Sequence, residues 1–411
     1  MKVTFYSDFL NHHQLPFCLA MNKLTQGEFT FVATTPVPQE RLDLGYYDMN
    51  KEYPFVLTTY DSPENARMAQ DLSIESDVII LGVAAKEYIE LRNEYGKLTF
   101  FFSERVFKHG LSMKSLRSYI GLLLRHNWYK SESTYMLCAS AYTAFDYGMA
   151  GLFRGKTFKW GYFPDVKRQN IDALMQRKDI AREQLIQRGR RNEHSTMKPQ
   201  GLKRSYASIL WVGRLIGWKH PDASIRMAEK LKKEGYDFDL KIVGSGEMED
   251  LLRNMIHEKD LDNCVHMLGA MSPEAVREQM EDADIFLFTS DFNEGWGAVL
   301  NESMNSGCAV VASHAIGSAP FLIRDGENGF IYKNGDEGKL YERVVQLINN
   351  PELRERLGRN ACRTLENIWN AEVAAERFFQ LSQALLDGKS LDIFEEGPCS
   401  RAKMLQNGWY R

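Results

Sequence analysis

The chain contains 411 residues with a formal net charge of −4, and 44% of the residues are hydrophobic while 26% are charged. This composition excludes a disordered protein, the length predicts two domains, and the small net charge gives no reason to expect nucleic acid as a partner. The six cysteines are scattered without a closely spaced pair, so we expect reduced, buried thiols and no metal site.

The first residues, MKVTFYSDFL, predict a strand that follows a single lysine. They lack the long apolar core and the cleavage site of a signal peptide, and no apolar run approaches the roughly 18 residues of a membrane helix. We therefore expect a cytoplasmic protein.

Short strands alternate with helices through the first 165 residues. The strand candidates are rich in β-branched and aromatic residues, and the helical segments include 62–72 and 85–95. This alternation predicts a parallel sheet covered by helices on both faces, in a domain that ends near Pro164 and Asp165. The strand candidates lie at 2–8, 29–35, 55–61, 77–82, 97–103 and 134–140.

Residues 167–204 differ in composition, with eleven Lys and Arg against four Asp and Glu. The segment is expected to begin as a helix and to end as a polar, basic connector. Two interpretations stay open, a solvated linker between domains or a contact with an anionic partner.

The second half repeats the alternation of strands and helices. The fold class is therefore predicted as α/β, with two doubly wound parallel-sheet domains. Because ligands of such sheets bind outside the carboxyl ends of the strands, we expect the site in a cleft between the two domains. The strand candidates lie at 208–214, 238–244, 264–269, 284–290, 308–313 and 329–333, and the later helices at 219–234, 336–349, 351–366 and 371–387.

The stretch WVGRLIGWKHPD joins the first strand of this half to its helix. Gly213 allows a close backbone approach, while Arg214 and Lys219 place two cations at a strand–turn–helix junction. Such a junction suits an anionic group, since arginine clamps phosphate oxygens and a helix N-terminus adds partial positive charge. The alternative is a pair of surface cations.

The stretch IVGSGEME places Gly244 and Gly246 directly after a strand, with Glu249 at the position of the third glycine of a dinucleotide fingerprint. A glycine pair of this kind is compatible with a ligand loop or with a structural turn.

The stretch TSDFNEGWGAVLNES follows a buried strand. Gly295 and Gly297 permit a tight turn, and the helix behind them is expected to present free N–H groups to a negative oxygen. Glu294 and Glu302 are better suited to sugar and ribose hydroxyls than to phosphate, because carboxylates accept strong hydrogen bonds and repel other anions. Cations and acids together predict a nucleotide-sugar site.

These motifs, with NSGCAVVAS and IRDGENGFIY behind them, resemble the retaining group 1 glycosyltransferases of the GT-B fold, the family related to glycogen and sucrose synthases. The resemblance covers about 205–375. It is looser across 1–165, where it depends on the strand–helix alternation and on the loop SDFLNHHQLPF.

The resemblance implies a role for each matched residue. Arg214 and Lys219 would bind the donor diphosphate, Glu294 would contact the transferred sugar, and Glu302 would hold the ribose. These implications make Glu294, Arg214 and Lys219 the expected catalytic residues. The expected donor-binding residues are Gly213, Gly244, Gly246, Met271 (near the base), Gly295, Trp296, Gly297 and Glu302, with the three residues 295–297 acting through backbone N–H groups.

The acceptor side is expected in the first half. His12 and His13 follow the first strand, where many family members have paired glycines, and a structural hydrogen bond is the alternative for them. Glu104 and Arg105 occupy the place of a histidine that many members carry. Glu104 could orient an acceptor hydroxyl, or the two could pair with each other.

Residues 111–130 form a basic amphipathic segment, GLSMKSLRSYIGLLLRHNWYK with its preceding glycine. Such a helix can rest on anionic lipid, and it can equally pack on a core with a solvated basic edge. Together with 167–204 it predicts a peripheral contact with an anionic membrane, at the inner face.

The resulting prediction is a retaining glycosyltransferase that moves a sugar from a nucleoside diphosphate, UDP- or GDP-linked, to a hydroxyl of a glycan or a lipid-linked saccharide. We expect no metal and no cofactor besides this donor. The alternatives are a nucleotide-sugar epimerase of related fold and a catalytically silent nucleotide-sugar-binding subunit. The domains are placed at 1–165 and 205–375, with a connector at 166–204 and a helix and tail at 376–411 that pack back on the first domain.

Overall fold

The computed structural model describes residues 1–43, 47–83, 86–108, 113–124, 126–129, 131–168, 170–192, 206–389 and 392–410. The chain forms two compact units. The first consists of Met1–Asp165 and Ile368–Asn407, and the second consists of Val166–Asn367 and Gly408–Arg411.

Within its described residues, the first unit contains a seven-stranded sheet in which every pair of neighbouring strands is parallel, in the order β3-β2-β1-β4-β5-β6-β7. The central strands are buried on both faces because they consist of β-branched and large apolar residues, as in VIIL of the fourth strand. The strands are β1 Val3–Ser7, β2 Phe29–Ala33, β3 Val56–Thr58, β4 Val78–Leu81, β5 Thr99–Ser103, β6 Thr134–Cys138 and β7 Thr157–Lys159.

Helices connect these strands, and local signals set their starts. The helix Pro63–Glu75 begins after Ser62, whose hydroxyl accepts a hydrogen bond from the N–H of Asn65, and Pro63 occupies the first turn. The helices are α1 Leu15–Leu24, α2 Gln39–Asp43, α3 Met49–Glu52, α4 Pro63–Glu75, α5 Lys86–Glu94, α6 Met113–Leu124, α7 His126–Tyr129 and α8 Thr143–Met149.

The described part of the second unit contains a six-stranded parallel sheet in the order β10-β9-β8-β11-β12-β13. Its strands are β8 Ala207–Val212, β9 Phe238–Val243, β10 Val265–Gly269, β11 Ile285–Phe288, β12 Ala309–Ser313 and β13 Phe330–Tyr332. Its helices are α9 Ile171–Asn192, α10 Pro221–Lys233, α11 Glu249–Glu258, α12 Pro273–Asp282, α13 Val299–Asn305, α14 Ala319–Leu322, α15 Glu337–Asn349 and α16 Pro351–Asn367, and a 3-10 turn covers Gly217–Lys219. Both sheets confirm the predicted α/β class with two doubly wound domains.

Helix α9 changes the interpretation of the basic segment 167–204. This helix packs on α12 and α16, and two of its cations have partners there. Arg177 binds Glu281 and Asp282, and the amino group of Lys178, 3% exposed, donates to the carbonyl of Met280. The described part of α9 is therefore not a solvated linker, because it packs within the second unit and Arg177 is ion-paired there. Residues 193–205 lie outside the described residues.

The last helix of the chain, α17 Ala371–Leu386, belongs to the first unit and packs against α1. Phe378 is fully buried there, with its ring 6.2 Å from that of Phe17 and 5.0 Å from that of Phe100. These aromatic contacts complete the core on that face of the sheet.

Helix α6 does not have the core-packed position that one interpretation predicted. Leu116, Ile120, Leu123 and Leu124 are 50%, 46%, 45% and 80% exposed. Leu122, in contrast, is 4% exposed. Among the described residues, no helix combines the length and the apolar character that crossing a bilayer requires.

Candidate active site

The predicted donor residues lie at one edge of the second sheet. Strand β8 pairs with β9 on one side and with β11 on the other, so the strand order reverses at β8. Ligands of doubly wound sheets bind at such a reversal, outside the carboxyl ends of the strands. The loops that follow β8 and β11 carry Arg214, Lys219 and Glu294 to this point.

Lys219 and Glu294 are in direct contact. The Nζ atom of Lys219 lies 2.5 Å from Oε2 of Glu294, and each side chain is 12% exposed. The hydroxyl of Ser290 donates to the same carboxylate oxygen at 3.0 Å. The ammonium also lies 4.7 Å from the centre of the Trp218 ring. A cation and an acid that the sequence separates by 75 positions thus share one place at the sheet edge.

The two loops are joined by their backbones as well. The hydroxyl of Thr289 donates to the carbonyl of Lys219 at 2.7 Å, and the indole N–H of Trp211 donates to that hydroxyl at 2.8 Å. The N–H of Asp291 donates to the carbonyl of Trp218 at 3.0 Å. These bonds fix the spacing of the loops independently of the charged side chains.

His220 adds a further link between the loops. It has a φ of 50°, which turns the chain from the 3-10 turn into α10. Its Nε2 lies 3.5 Å from Oδ2 of Asp291. This hydrogen bond raises the pKa of His220 above its ordinary value, although burial opposes it. The histidine therefore adds positive charge to the same edge as pH falls.

Arg214 is exposed at the end of β8, and its guanidinium has no hydrogen-bond or ion-pair partner among the described residues. Gly213 precedes it, and a Cβ atom there would lie 3.1 Å from the Trp211 ring and 3.2 Å from Cδ of Lys219. The glycine leaves room for the stem of the lysine, and the arginine is accessible to an anion.

The structure gives Gly244 and Gly246 a packing role. Their φ angles are 138° and 157°, and a Cβ atom would overlap the carbonyl oxygens of Gly213 and Leu215, respectively. The N–H of Leu215 donates to the carbonyl of Ser245 at 2.9 Å. The glycine turn therefore supports the loop that carries Arg214, and its own contact with a donor stays a prediction.

The loop from Glu294 to Gly297 turns tightly because of Gly297, whose φ is 83° and whose Cβ would overlap the Phe288 ring. Trp296 is 1% exposed, and its indole N–H donates to Asn301, so its side chain is part of the core. The N–H groups of Gly295 and Gly297 have no acceptor among the described residues. Because helix α13 has only seven residues, its N-terminus contributes less positive charge to this edge than the side-chain cations do.

Glu302 lies one turn into α13. Burial raises the pKa of its carboxyl group above the ordinary value, and the nearby Arg277 opposes this shift. None of the described residues donates a hydrogen bond to this carboxylate. Met271, partly exposed, follows β10 just before Ser272 caps α12. The carboxylate of Glu302 is thus partly removed from water and receives no hydrogen bond from the described residues.

In the first unit, His12 and His13 lie after β1, where the strand order of that sheet reverses. Their ring centres are 3.8 Å apart. Burial lowers the pKa of both, that of His13 to about 3, so both rings are neutral at physiological pH. The Tyr162 ring lies 6.0 Å from that of His13. Neutral rings suit hydrogen bonding to hydroxyls.

Glu104 and Arg105, which follow β5, do not pair with each other. Arg105 is 4% exposed and binds Asp146, with Nη2 3.3 Å from Oδ1, and its guanidinium lies 4.7 Å from the Tyr142 ring centre. Glu104 pairs with Lys108 at 2.9 Å. The buried arginine stabilises the fold of the first unit, whereas Glu104 stays partly exposed.

Comparisons with known proteins identify the second unit. Residues 193–364 match the family described as glycosyl transferases group 1. An uncharacterized glycosyltransferase of Haemophilus influenzae is 32% identical over 146 residues, 36% of this chain and 40% of that protein. This chain contains a group 1 glycosyltransferase domain. The matched stretch spans about two fifths of each of the first two curated relatives.

Solved structures extend the likeness in fold to 94% of the chain. HepE of Anabaena, in complex with UDP, superposes with a TM-score of 0.65 at 16% identity, covering 94% of this chain and all of that one. Sucrose-phosphate synthase of Thermosynechococcus elongatus gives 0.59 at 14% identity, covering 94% and 99%. The group 1 glycosyltransferase domain here is therefore part of a GT-B fold.

Several residues that the motifs did not single out lie close to the predicted residues of their own unit. Ser290 and Asp291 belong to the quoted stretch TSDFNEGWG, and their position directly after a buried strand was the available signal. His220 stands in the quoted stretch WKHPD. Tyr162 was missed because its partner, Glu104, is distant in sequence. Burial is the largest cause that raises the pKa of the Tyr162 hydroxyl, and the charge of Glu104 and a hydrogen bond to it raise the pKa further.

Proposed function

We propose that this protein is a retaining glycosyltransferase that moves a sugar from a UDP- or GDP-linked donor to a hydroxyl acceptor, a glycan or a lipid-linked saccharide. No metal takes part in this proposal, because Lys219 and Arg214 supply the positive charge. The single observation that carries it is the contact between Lys219 and Glu294, 2.5 Å apart at the strand reversal of the glycosyltransferase domain.

The positions of the charged groups divide the site into parts with different chemistry. Arg214 and Lys219 suit the diphosphate because both cations lie at the end of β8. Glu294 suits hydroxyls of the sugar, and Glu302 suits the ribose, since each carboxylate accepts hydrogen bonds. The guanidinium of Arg214 and the carboxylate of Glu302 have no hydrogen-bond partner among the described residues, which makes both groups available to a ligand.

In the proposed reaction, the bond between the anomeric carbon and the phosphate oxygen breaks, and its electron pair leaves with the diphosphate. The acceptor oxygen forms its bond to carbon on the same face of the sugar, and its proton passes to the departing phosphate oxygen. Lys219 and Arg214 stabilise the charge that develops on this oxygen, a type of fixed electrostatic effect that usually dominates catalysis.

The names of similar proteins support the choice of donor and acceptor. HepE of Anabaena has been crystallised with UDP-glucose. TarM of S. aureus, with a TM-score of 0.52 at 18% identity, has been crystallised as a mutant with Fondaparinux, alpha-GlcNAc-glycerol and UDP. For this chain we infer the same class of ligands, a nucleoside diphosphate and a polyhydroxyl acceptor.

A donor screen tests the proposal. The purified chain is incubated with UDP-, GDP- and ADP-sugars, with and without oligosaccharide acceptors, and release of nucleoside diphosphate is measured. We expect slow hydrolysis of one donor class and faster release with an acceptor. Proton NMR of the product is expected to show the anomeric configuration of the donor.

The same assay separates the alternatives. Conversion of the donor sugar without acceptor and without diphosphate release would indicate an epimerase. Thermal stabilisation by a donor that is never cleaved would indicate a binding subunit. Inversion of the anomeric centre would contradict the retaining mechanism.

We also propose that α6 rests on an anionic lipid surface. Its exposed leucines and Ile120 form an apolar surface of a kind that is rare on the water-exposed side of a helix in a soluble protein. Between Lys108 and Glu132 the sequence has four Lys or Arg residues and no Asp or Glu, and the exposed Arg117 belongs to this set. Apolar insertion and positive charge together favour anionic lipid.

Replacing Leu123 and Leu124 with serine is expected to reduce binding to vesicles severalfold, measured by co-sedimentation. Vesicles of phosphatidylcholine are compared with equal mixtures of phosphatidylcholine and phosphatidylglycerol, and Arg117→Glu should weaken only the second. Leu251→Ser, at a 52% exposed position in the second unit, is the control. Equal binding to both vesicles, or a dimer in light scattering that the serine variant loses, would contradict the lipid contact.

A further inference from the structure

Trp409 and Tyr410 belong to the second unit, although residues 368–407 before them belong to the first. Both side chains are partly buried. They lie at the carboxyl ends of β12 and β13, which is the edge of the sheet that also carries the donor loop, defined here as residues 291–297. Nothing in the proposed reaction uses this aromatic pair.

Tyr410 is held by a specific bond. Its hydroxyl donates to the carbonyl of Ile331 at 2.7 Å. Ile331 lies in β13, an edge strand of the sheet, and among the described residues no strand pairs with its outer side. The bond thus satisfies a carbonyl group of that strand and fixes the tyrosine ring in place.

The aromatic pair contacts His314, which follows β12 and is 3% exposed. The ring centres of Tyr410 and Trp409 lie 5.9 Å and 6.3 Å from that of His314. The Nδ1 atom of His314 accepts a hydrogen bond from the N–H of Asn334 at 2.9 Å, which fixes the orientation of the imidazole. His314 is therefore packed between fixed neighbours.

His314 in turn contacts the donor loop. Its ring packs edge-to-face against Phe292, with the centres 5.4 Å apart. A few residues further, the N–H of Gly317 donates to the carbonyl of Glu294 and that of Ser318 to the carbonyl of Trp296, both at 3.3 Å. The segment after β12 thus supports the donor loop through a ring contact and two backbone bonds.

We infer that Trp409 and Tyr410 are positioning residues, which hold His314 and, through it, the donor loop in the conformation that presents Glu294 to the donor. This inference rests on the proposed function. A contiguous chain of packed rings transmits a displacement because packed interiors have little free volume. Removal of the rings would let Phe292 and the loop sample other conformations, and Glu294 would be in place only part of the time.

The test combines kinetics with hydrogen–deuterium exchange of the wild type and of the Trp409→Ala/Tyr410→Ala double variant. We expect the KM for the donor to rise about tenfold with a smaller change in kcat. A loop that is in the binding-competent conformation only part of the time mainly lowers the apparent affinity for the donor. Amides of residues 289–297 should exchange faster. Tyr410→Phe, which retains the ring, should give an intermediate effect and also serves if the double variant does not fold.

Two controls separate the possible failures. Tyr95→Ala, at a 54% exposed position of the first unit, should change neither readout. Phe292→Leu combined with the double variant should cost less than the sum of the two, since both act on one contact. Unchanged exchange and unchanged KM in the folded double variant would overturn the inference. Wild-type protein without activity on any donor would overturn the proposed function, while the exchange result would still decide the inference.

Discussion

Replacing Lys219 with methionine is expected to lower kcat/KM for the donor by about 10²–10³-fold, the usual effect of losing one preorganised electrostatic contact. The methionine retains most of the aliphatic stem and removes the charge that lies 2.5 Å from Glu294. The charge is needed most where negative charge develops on the diphosphate, so kcat should fall more than KM rises. Steady-state release of nucleoside diphosphate measures both constants.

Lys230→Met is the matched control for this variant. Lys230 lies on α10 with its amino group 3.9 Å from the centre of the Tyr341 ring, and it is exposed away from the end of β8. We expect wild-type turnover for this variant. Lys219→Arg should recover part of the rate, since it retains the charge with a different geometry. Wild-type turnover in Lys219→Met would contradict the diphosphate role.

The fold was predictable because each strand can be recognised from a short stretch of sequence. Runs such as VIILG and CAVVAS are short, β-branched and bounded by turn residues, and each lies close to an observed buried strand, β4 and β12. Parallel sheets of alternating strands and helices have few topologies, so the sequence predicted the class of sheet but not the order of its strands.

The local geometry of the candidate site was predictable where its residues are close in sequence. The stretch from Ser290 to Gly297 forms one loop after one strand, so the motif implies its geometry. The bond between Lys219 and Glu294 could not be predicted as such, because it joins loops from different strands. The packing role of Gly244 depends on the backbone of Gly213, which no local pattern records.

Patterns of charged and apolar residues led to wrong predictions where the partner of a residue is distant in the sequence. Arg105 follows Glu104, yet it binds Asp146, 41 positions away, because burial demands a full set of partners for a guanidinium. Leu116, Leu123 and Leu124 of α6 have the pattern of a buried face, but they are exposed. A periodic pattern shows that a helix has an apolar side, but it does not show what covers that side.

Glu302→Gln is expected to stabilise the free protein and to weaken donor binding. Burial raises the pKa of Glu302, so the folded chain holds its proton more firmly than the unfolded chain does. The stability that this protonation contributes is present below the unfolded pKa and is lost as pH rises through the folded pKa. Above the raised pKa, the carboxylate is a partly buried charge that accepts no hydrogen bond from the described residues.

The variant should therefore raise the melting temperature of the second unit at pH 7.5 by about 2–4 °C, as expected for about 1 kcal/mol in a unit of about 200 residues. The gain should shrink as the pH is lowered, because protonated glutamate resembles glutamine. Donor affinity should fall about tenfold to a hundredfold, since hydrogen bonds to a charged group contribute about 1.5–3 kcal/mol.

Glu258→Gln, at an exposed position of α11, controls for the loss of one negative charge and should change neither quantity. A pH-independent gain in the melting temperature would show that the carboxylate is not the source of instability. A gain without loss of affinity would remove the ribose role and leave the instability unexplained. Opposite signs for stability and binding are the result that connects the two, because a carboxylate that the fold leaves without donors is stabilised when hydroxyls of a ligand supply them.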